Sequence, residues 1–267
     1  MNLQLLDYLA SDDSVWGGGD VTHLAPGMDY DEAYRAQFAA KQRQQVAHGP
    51  VIGYQASLTS QAAQRLGPPD MPKPYVGTLL LRNWREAGAQ FAPGLDYLIE
   101  CEIGVRMAAR LQGPGITAEA ARLAVGSVHA AIEVVPLPPQ IMQRTGQHLI
   151  AIHNFGSWCV FGEKAGAPVA DLREVPIELR FDGQPAAAGK AGDSGGDPFA
   201  VLAAVANTLG RFGLALEPGM VVMTGATASP TRVPAETEEV TATFGPLGSV
   251  SVKFGNADTS AEKKETA

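Results

Sequence analysis

Apolar residues follow a helical spacing in the first fifth of the chain. The leucines of the first ten residues, and the apolar residues of segment 29–48, recur every two to four positions, which favours amphipathic helices. Gly49 and Pro50 follow the second segment, and this pair is a typical helix stop. The sequence therefore predicts two helices in an N-terminal segment, residues 1–50.

The pattern changes at Val51, where short runs rich in β-branched and aromatic residues begin, separated by glycine and proline clusters. Such runs are typical of strands joined by turns. They include VIGYQASLT, YVGTLLL and LDYLIECEIGVRM, and four later predicted strands at 131–136, 220–224, 239–244 and 249–254. We expect one β-rich domain over residues 51–254, and a polar, disordered tail over 255–267.

Two helices are predicted among these strands. One covers 117–130, with Thr117 as its cap and Glu119 in its first turn. The other begins at Asp197-Pro198, a cap followed by proline at the first helical position, and ends near Arg211. Because strands outnumber helices and do not alternate with them regularly, the pattern favours an α+β fold over a doubly wound sheet.

Composition excludes several classes of protein. The net charge of -8 and the pI near 5.1 argue against nucleic-acid binding, which needs clustered basic residues. Cys101 and Cys159 are the only cysteines, and they lack the spacing of a zinc site or a disulfide framework. The N-terminus lacks the pattern of a signal peptide, and no run of eighteen apolar residues occurs, so we expect a cytoplasmic protein.

Three glutamates lie in strand-like, apolar surroundings. Glu100 and Glu102 are two residues apart and therefore share one face of a strand. Glu133 lies in the run AAIEVV, whose neighbours predict a buried strand. A buried carboxylate needs a cation, a basic partner or a proton. Oxygen ligands favour Mg²⁺ or Mn²⁺, and also Ca²⁺, over Zn²⁺.

A simpler interpretation needs no metal. Glu100 and Glu102 would then lie on a solvated face of the sheet, and Glu133 would pair with Arg106 or Arg82. His148 and His153 flank an apolar segment and are interpreted as packing residues. Residues 221–227 predict a strand that ends in a glycine turn, either an ordinary strand end or a binding site for a substrate carboxylate.

Six ordered segments carry a resemblance to a known family: GYQASLTSQAAQ, IECEIGVRM, AAIEVVPLP, GDPFAVLAAVANTLGRFG, GMVVMTGATASP and ATFGPLGSVSVKF. Over residues 30–254 the chain resembles the 2-keto-4-pentenoate hydratase and 2-oxo-3-enedioate (4-oxalocrotonate) decarboxylase branch of the fumarylacetoacetate hydrolase superfamily. The resemblance implies a core of curved mixed β-sheet with flanking helices, a homo-oligomer, Mg²⁺ or Mn²⁺ as cofactor, and a role in aromatic meta-cleavage catabolism.

The resemblance also implies roles for individual residues. The positions that match are Glu100, Glu102 and Glu133 for the metal, Gln55 and Thr59 for catalysis, and Leu58, Thr224 and Gly225 for substrate binding. In the implied chemistry, the metal acts as a Lewis acid on the C1 carboxylate and the 2-oxo or 2-enol oxygen of the substrate. Water then adds to the conjugated chain, or CO₂ is lost from it.

The chain departs from the family pattern at three places. Gln55 replaces the usual lysine of G-x-K-x-x-L-T, and glutamine cannot shuttle a proton near neutral pH. Tyr75-Val76-Gly77 replaces Asp-Phe-Gly, and His153-Asn154 replaces Asp-Asn. These departures bear on catalysis and on substrate choice.

Three functions remain open from the sequence. The first is hydration of a 2-hydroxy-2,4-dienoate to a 4-hydroxy-2-oxo acid. The second is decarboxylation of a 2-oxo-3-enedioate, for which Lys190 is a candidate partner of the second carboxylate. The third is a catalytically weak member that retains the metal and assembles with a related hydratase or decarboxylase subunit, a hypothesis motivated by Gln55.

Overall fold

The structure is a computed structural model that describes residues 3–11, 25–66, 70–92, 95–137, 145–152, 157–163 and 171–255. Its helices are α1 (Leu3–Ala10), α2 (Tyr30–His48), α3 (Gln61–Leu66), α4 (Ala118–Leu123), α5 (Gly146–Ala151) and α6 (Pro198–Gly210). Asp29 caps α2 in a capping box with Glu32, and Asp197 caps α6 ahead of Pro198. The predicted N-terminal helices and the predicted helix after Asp197 are confirmed.

The strands are β1 (Val51–Ser57), β2 (Tyr75–Leu80), β3 (Trp84–Glu86), β4 (Gln90–Phe91), β5 (Tyr97–Met107), β6 (Val125–Pro136), β7 (Trp158–Phe161), β8 (Pro176–Phe181), β9 (Gln184–Lys190), β10 (Val221–Ala226), β11 (Thr231–Arg232), β12 (Glu239–Thr243) and β13 (Ser249–Phe254). They form two sheets. The larger has the order β2-β1-β10-β5-β6-β7-β3, with β11 beside β5, and the smaller has the order β4-β13-β12-β8-β9.

The larger sheet curls until its two edges meet. The edge strands β2 and β3 are joined only by residues 81–83, which reach about 14 Å when fully extended. A flat sheet of this order would separate the two strands by roughly 29 Å, at about 4.8 Å for each spacing. Asn83 closes the seam, because its Oδ1 accepts from Leu80 N and its Nδ2 donates to Ser157 O, both at 2.8 Å.

Strand register defines the side chains that face the interior of this curled sheet. Directly paired residues point to the same face, and Gln55 pairs with Met223, which pairs with Gly104 on β5. On the same face, Glu100 pairs with Glu133 across β5 and β6. The three predicted metal ligands and Gln55 therefore share one interior.

An apolar plug fills the next layer of this interior. We define it as Leu79, Ala131, Phe161, Val221 and Met223, all nearly or completely buried and in mutual contact. Position 104, next to the plug, has no room for a side chain, because a Cβ on Gly104 would lie 2.5 Å from Phe161 Cζ. The plug separates the end that carries the glutamates from the end that carries Arg106.

The second sheet and the helices cover the outside of the curled sheet. Residues of both sheets and of α1, α2 and α6 belong to one hydrophobic core. Gln37 fastens α2 to this core, because its buried amide donates to Val76 O at 3.1 Å and to Ile150 O at 2.6 Å. The α+β class and the curved mixed sheet are thus confirmed, with the N-terminal helices packed against the sheet.

One predicted helix is wrong in extent. Thr117 does cap a helix, but α4 ends at Leu123 and β6 begins at Val125. Segment 125–130 pairs with β5 instead, where its β-branched valines suit an extended strand. The strand predicted over 131–136 is therefore only the second half of β6.

The remaining predicted strands lie within one or two residues of β10, β12 and β13. Residues 256–267, predicted as a tail, lie outside the described residues. Within the part of the chain that is described, no helix combines the length and the apolar character that crossing a membrane requires.

Candidate metal centre

Glu100, Glu102 and Glu133 converge inside the curled sheet, where β5 and β6 pair. One carboxylate oxygen from each lies within 4.8 Å of the others. Glu102 is completely buried, Glu133 is 6% exposed, and Glu100 is partly buried. We call these three residues the glutamate triad. The E-x-E spacing predicted that Glu100 and Glu102 share a face, and the family resemblance implied that Glu133 joins them.

Three ionised carboxylates buried together without a cation are energetically unfavourable. Burial and the charge of Glu133 raise the pKa of Glu100 to about 8. Burial, followed by the charges of Glu133 and Glu100, raises the pKa of Glu102 well above its ordinary value. Burial also raises the pKa of Glu133 to about 7, although Ser157 and Gln55 act in the opposite direction. A cation among the three would favour their ionised forms.

The basic residues considered from the sequence do not supply that cation. Arg82 lies 3.0 Å from His48 Nε2. Arg106 donates to Gly219 O at 3.1 Å and lies over the ring of Trp84. Within the described residues, the charged groups that shift the pKa values of the triad are the three glutamates themselves. Pairing of Glu133 with Arg82 or Arg106 is therefore not what the structure shows.

The donor set fits a hard divalent cation. Glu102 Oε2 accepts from the backbone N–H of Gly225 at 2.6 Å, which fixes the carboxylate. Its buried Oε1 has no hydrogen-bond partner among the described residues. This unsatisfied oxygen and the oxygens of the two neighbouring carboxylates together form a ligand set for Mg²⁺, Mn²⁺ or Ca²⁺. These three glutamates are the residues that would hold such an ion.

Beside the triad lies a neutral wall, which we define as Gln55, Ser57 and Tyr75. Gln55 is 2% exposed and hydrogen-bonds to Glu133. Ser57 and Tyr75 are paired across β1 and β2, and their side chains hydrogen-bond to each other. Strand register places Tyr75 on the same face as Gln55. Burial raises the pKa of Tyr75, and the charges of Glu133 and Glu100 add to this effect.

A second group of predicted residues forms a network at the end of β10. Ser194 Oγ lies 2.5 Å from Thr224 O and 2.9 Å from Thr59 Oγ1. Since a carbonyl can only accept, Ser194 donates to Thr224 and Thr59 donates to Ser194. Thr224 Oγ1 donates in turn to Ile103 O at 3.0 Å. The proton of each hydroxyl is therefore already used within the protein.

The predicted catalytic and substrate-binding positions are distributed accordingly. Gln55 contacts the triad directly, and Gly225 contacts it through its N–H. Thr59 and Thr224 belong to the hydroxyl network, and Leu58 adjoins it with a φ of 55°. Their roles in catalysis and substrate binding stay predictions. His153 and Asn154, the third departure from the family pattern, lie outside the described residues.

Sequence reasoning missed Ser157, Cys159 and Ser194. Ser157 and Cys159 lie at β7, where Cys159 pairs with Glu133 and its Sγ donates to Asn83 O. The run Trp158–Phe161 is entirely apolar, and no sequence signal placed it beside Glu133. Ser194 lies in the turn at 192–196, and only the glycines of that turn marked the segment as unusual.

Comparison with known proteins agrees with this geometry. Residues 39–255 match the family model described as fumarylacetoacetate (FAA) hydrolase C-terminal. The chain is similar to 2-hydroxyhexa-2,4-dienoate hydratase of Comamonas testosteroni, with 28% identity over 213 residues that cover 78% of this chain and 80% of the relative. It is also similar to 4-oxalocrotonate decarboxylase of Pseudomonas putida, with 25% identity over 88% of this chain and 89% of the relative.

Solved structures give the same fold. The 4-oxalocrotonate decarboxylase from Pseudomonas putida G7, complexed with magnesium and adipate, superposes with a TM-score of 0.84 at 24% identity, over 95% of this chain and 98% of that one. The same enzyme complexed with calcium and acetate gives a TM-score of 0.82 at 23% identity, over 94% and 96% of the two chains. The chain thus belongs to the fumarylacetoacetate hydrolase family.

Proposed function

We propose that this chain is a lyase dependent on a divalent cation, which hydrates a 2-hydroxy-2,4-dienoate to a 4-hydroxy-2-oxo acid. The observation that carries the proposal is the glutamate triad, buried in the curled sheet with one oxygen of Glu102 unsatisfied. The similarity to 2-hydroxyhexa-2,4-dienoate hydratase supports the reaction class. We propose Mg²⁺ or Mn²⁺ as the ion, and a cytoplasmic homo-oligomer as the working form.

A bound cation would supply Lewis-acid stabilisation for charge that develops on the 2-oxo or 2-enol oxygen of the substrate. The side chains have other tasks. Gly225 N–H orients Glu102, and Gln55 orients Glu133, so that both carboxylates are held before the substrate arrives. The apolar plug excludes water from one side of the site. The neutral wall offers an amide and hydroxyl groups to the substrate or to the attacking water.

Decarboxylation of a 2-oxo-3-enedioate is the second candidate. It is supported by the similarity to 4-oxalocrotonate decarboxylase, whose solved structure contains the dicarboxylate adipate with magnesium. The basic residue considered for the second carboxylate does not strengthen this candidate. Lys190 Nζ lies 3.1 Å from Glu174, and both side chains are about half exposed.

A direct assay separates these functions. The purified chain is incubated with a 2-hydroxy-2,4-dienoate and, separately, with a 2-oxo-3-enedioate, each with and without Mg²⁺ or Mn²⁺, and products are identified by mass. We expect the hydrated product from the dienoate only when the ion is present. Loss of CO₂ from the enedioate alone would favour decarboxylation.

The same assay tests the third function, a catalytically weak assembly partner. If the native chain turned over neither substrate while binding the ion, and Gln55→Lys created turnover, the non-catalytic function would replace our proposal. Glu102→Ala serves as the control for background hydration in every arm. Sedimentation velocity of the ion-loaded chain tests the expected homo-oligomer.

A further inference from the structure

The triad carries more negative charge than one divalent cation neutralises. Three ionised carboxylates and one such cation sum to a charge of minus one. Among the described residues, Arg82 contacts His48 and Arg106 contacts Gly219 O, and no basic side chain forms an ion pair with Glu100, Glu102 or Glu133. The loaded site therefore remains slightly negative before any substrate enters.

The neutral wall adds no positive charge. Gln55 and Ser57 do not ionise near neutral pH, and the Tyr75 phenol is protonated there. All three side chains come from β1 and β2 and are directed to the triad or to each other. Gly77, which pairs with Gln55, has no side chain. On this side, the substrate meets only amide and hydroxyl groups.

We infer that the neutral wall of Gln55, Ser57 and Tyr75 makes this site selective for 2-oxo and 2-hydroxydienoic acids with one carboxylate over those with two. The inference rests on the proposed function, whose substrate class it narrows. The first carboxylate gains the attraction of the cation. A second carboxylate meets a net negative site with no basic side chain on this wall to receive it.

Coulomb's law indicates the size of the effect. A second carboxylate several ångströms from a net charge of minus one, at the effective dielectric of a protein interior, weakens binding by about tenfold or more. Desolvation of that carboxylate against the neutral wall acts in the same direction. Because the effect is electrostatic, it decreases as salt screens it.

Two unreactive probes of equal chain length measure the preference. 2-Oxopentanoate and 2-oxopentanedioate differ only in the methyl or carboxylate group at C5. Their dissociation constants are measured by calorimetry on the Mn²⁺-loaded native chain at low salt and again at high salt. We expect the dicarboxylate to bind at least about tenfold more weakly at low salt, and the ratio to fall at high salt.

Two variants at one position assign the cause. Gln55→Lys adds a positive charge, and Gln55→Met has a similar length without charge. We expect Gln55→Lys to reduce the ratio of dissociation constants about tenfold and Gln55→Met to leave it unchanged. Thermal unfolding shows whether each variant is folded, and the native salt dependence tests the inference without either variant.

The outcomes are distinguishable. Equal or tighter binding of the dicarboxylate by the native chain overturns the inference while the proposed function stands. A ratio that is the same in the native chain, Gln55→Lys and Gln55→Met removes the neutral wall as its cause. If Mn²⁺ binds but neither probe does, the proposed function fails, and the inference fails with it.

Discussion

Glu102 Oε2 accepts a hydrogen bond of 2.6 Å from the backbone N–H of Gly225. This contact joins β5 to the end of β10 and fixes the carboxylate through a main-chain group. Gly225 has a φ of +88°, and a Cβ at this position would lie 2.1 Å from Thr59 Oγ1. The orientation of one predicted metal ligand thus depends on a residue without a side chain in another strand.

We expect Gly225→Ala to impair both folding and metal binding. The added methyl group must displace Thr59 or the backbone, so the free energy of unfolding should fall by about 2 kcal/mol or more. Because Glu102 loses its orienting N–H, Mn²⁺ affinity should fall about tenfold or more. Urea unfolding and calorimetry measure the two effects.

Gly183→Ala is the matched control for this variant. Gly183 has a φ of +76°, but no atom lies within 4 Å of the position that a Cβ would occupy there. Its substitution should cost about 1 kcal/mol of backbone strain and leave Mn²⁺ affinity unchanged. Equal Mn²⁺ affinity in both variants would show that Gly225 does not orient a ligand.

Glu102→Ala should separate metal binding from folding. The substitution removes a carboxylate whose burial is unfavourable without a cation, so the metal-free protein should be at least as stable as the native chain. Mn²⁺ affinity and ion-dependent turnover should both fall by about a hundredfold or more. The control is Glu236→Ala, at an exposed carboxylate. Survival of both properties in Glu102→Ala would refute the site assignment.

The raised pKa values predict how stability depends on pH. The pKa is raised to about 8 for Glu100 and to about 7 for Glu133, so between about pH 4.5 and 8 the folded metal-free chain holds protons that the unfolded chain has lost. The free energy of unfolding should therefore fall as pH rises, by up to about 1.4 kcal/mol per pH unit for each such carboxyl.

The cation should reverse this trend. It binds the ionised carboxylates, so the stabilisation produced by a fixed excess of Mg²⁺ should grow from about pH 5 to 8. Urea unfolding at several pH values, with Mg²⁺ or with chelator, measures both slopes. Parallel curves with and without Mg²⁺ would contradict an ion on the triad.

Lys41 provides a prediction away from the site. Its ammonium donates to Gln44 Oε1 at 3.0 Å, and burial, with a smaller effect of Arg82, lowers its pKa to about 7. The folded chain then binds fewer protons than the unfolded chain from about pH 7 to 10, so this lysine destabilises the fold most at the acidic end.

Lys41→Met should remove that contribution. At about pH 7 and below, we expect the variant to be as stable as the native chain or more stable, and the rise of native stability between about pH 7 and 10 to become smaller. Urea unfolding at both ends of this pH range measures the difference, with Lys253→Met at an exposed strand position as control. An unchanged pH slope in Lys41→Met would exclude a neutral buried lysine.

Local patterns predicted the parts of the molecule that local physics determines. Strand alternation placed Glu100 and Glu102 on one face, and the cap at Asp197 placed the start of α6 correctly. The apolar run around Glu133 predicted its burial. Each conclusion depends only on residues within a few positions along the chain.

Contacts between strands that lie far apart in the sequence could not be predicted from local patterns. Gln55 contacts Glu133 because three intervening steps of strand pairing curl the sheet, and no short window contains that information. The helix predicted over 117–130 failed for the same reason, since partner strand β5 extends β6 back to Val125. The family resemblance supplied the set of residues, and their contacts came from the fold.

The apolar plug limits the directions from which a cation could reach the triad. Among the described residues, Leu79, Phe161 and Met223 block passage between the triad and the Arg106 end of the interior. A cation held by Glu100, Glu102 and Glu133 would therefore be reached from the side of the triad that faces away from the plug. A 2-oxo acid bound from that side would lie between such a cation and solvent, so we expect a bound acid to slow exchange of the cation.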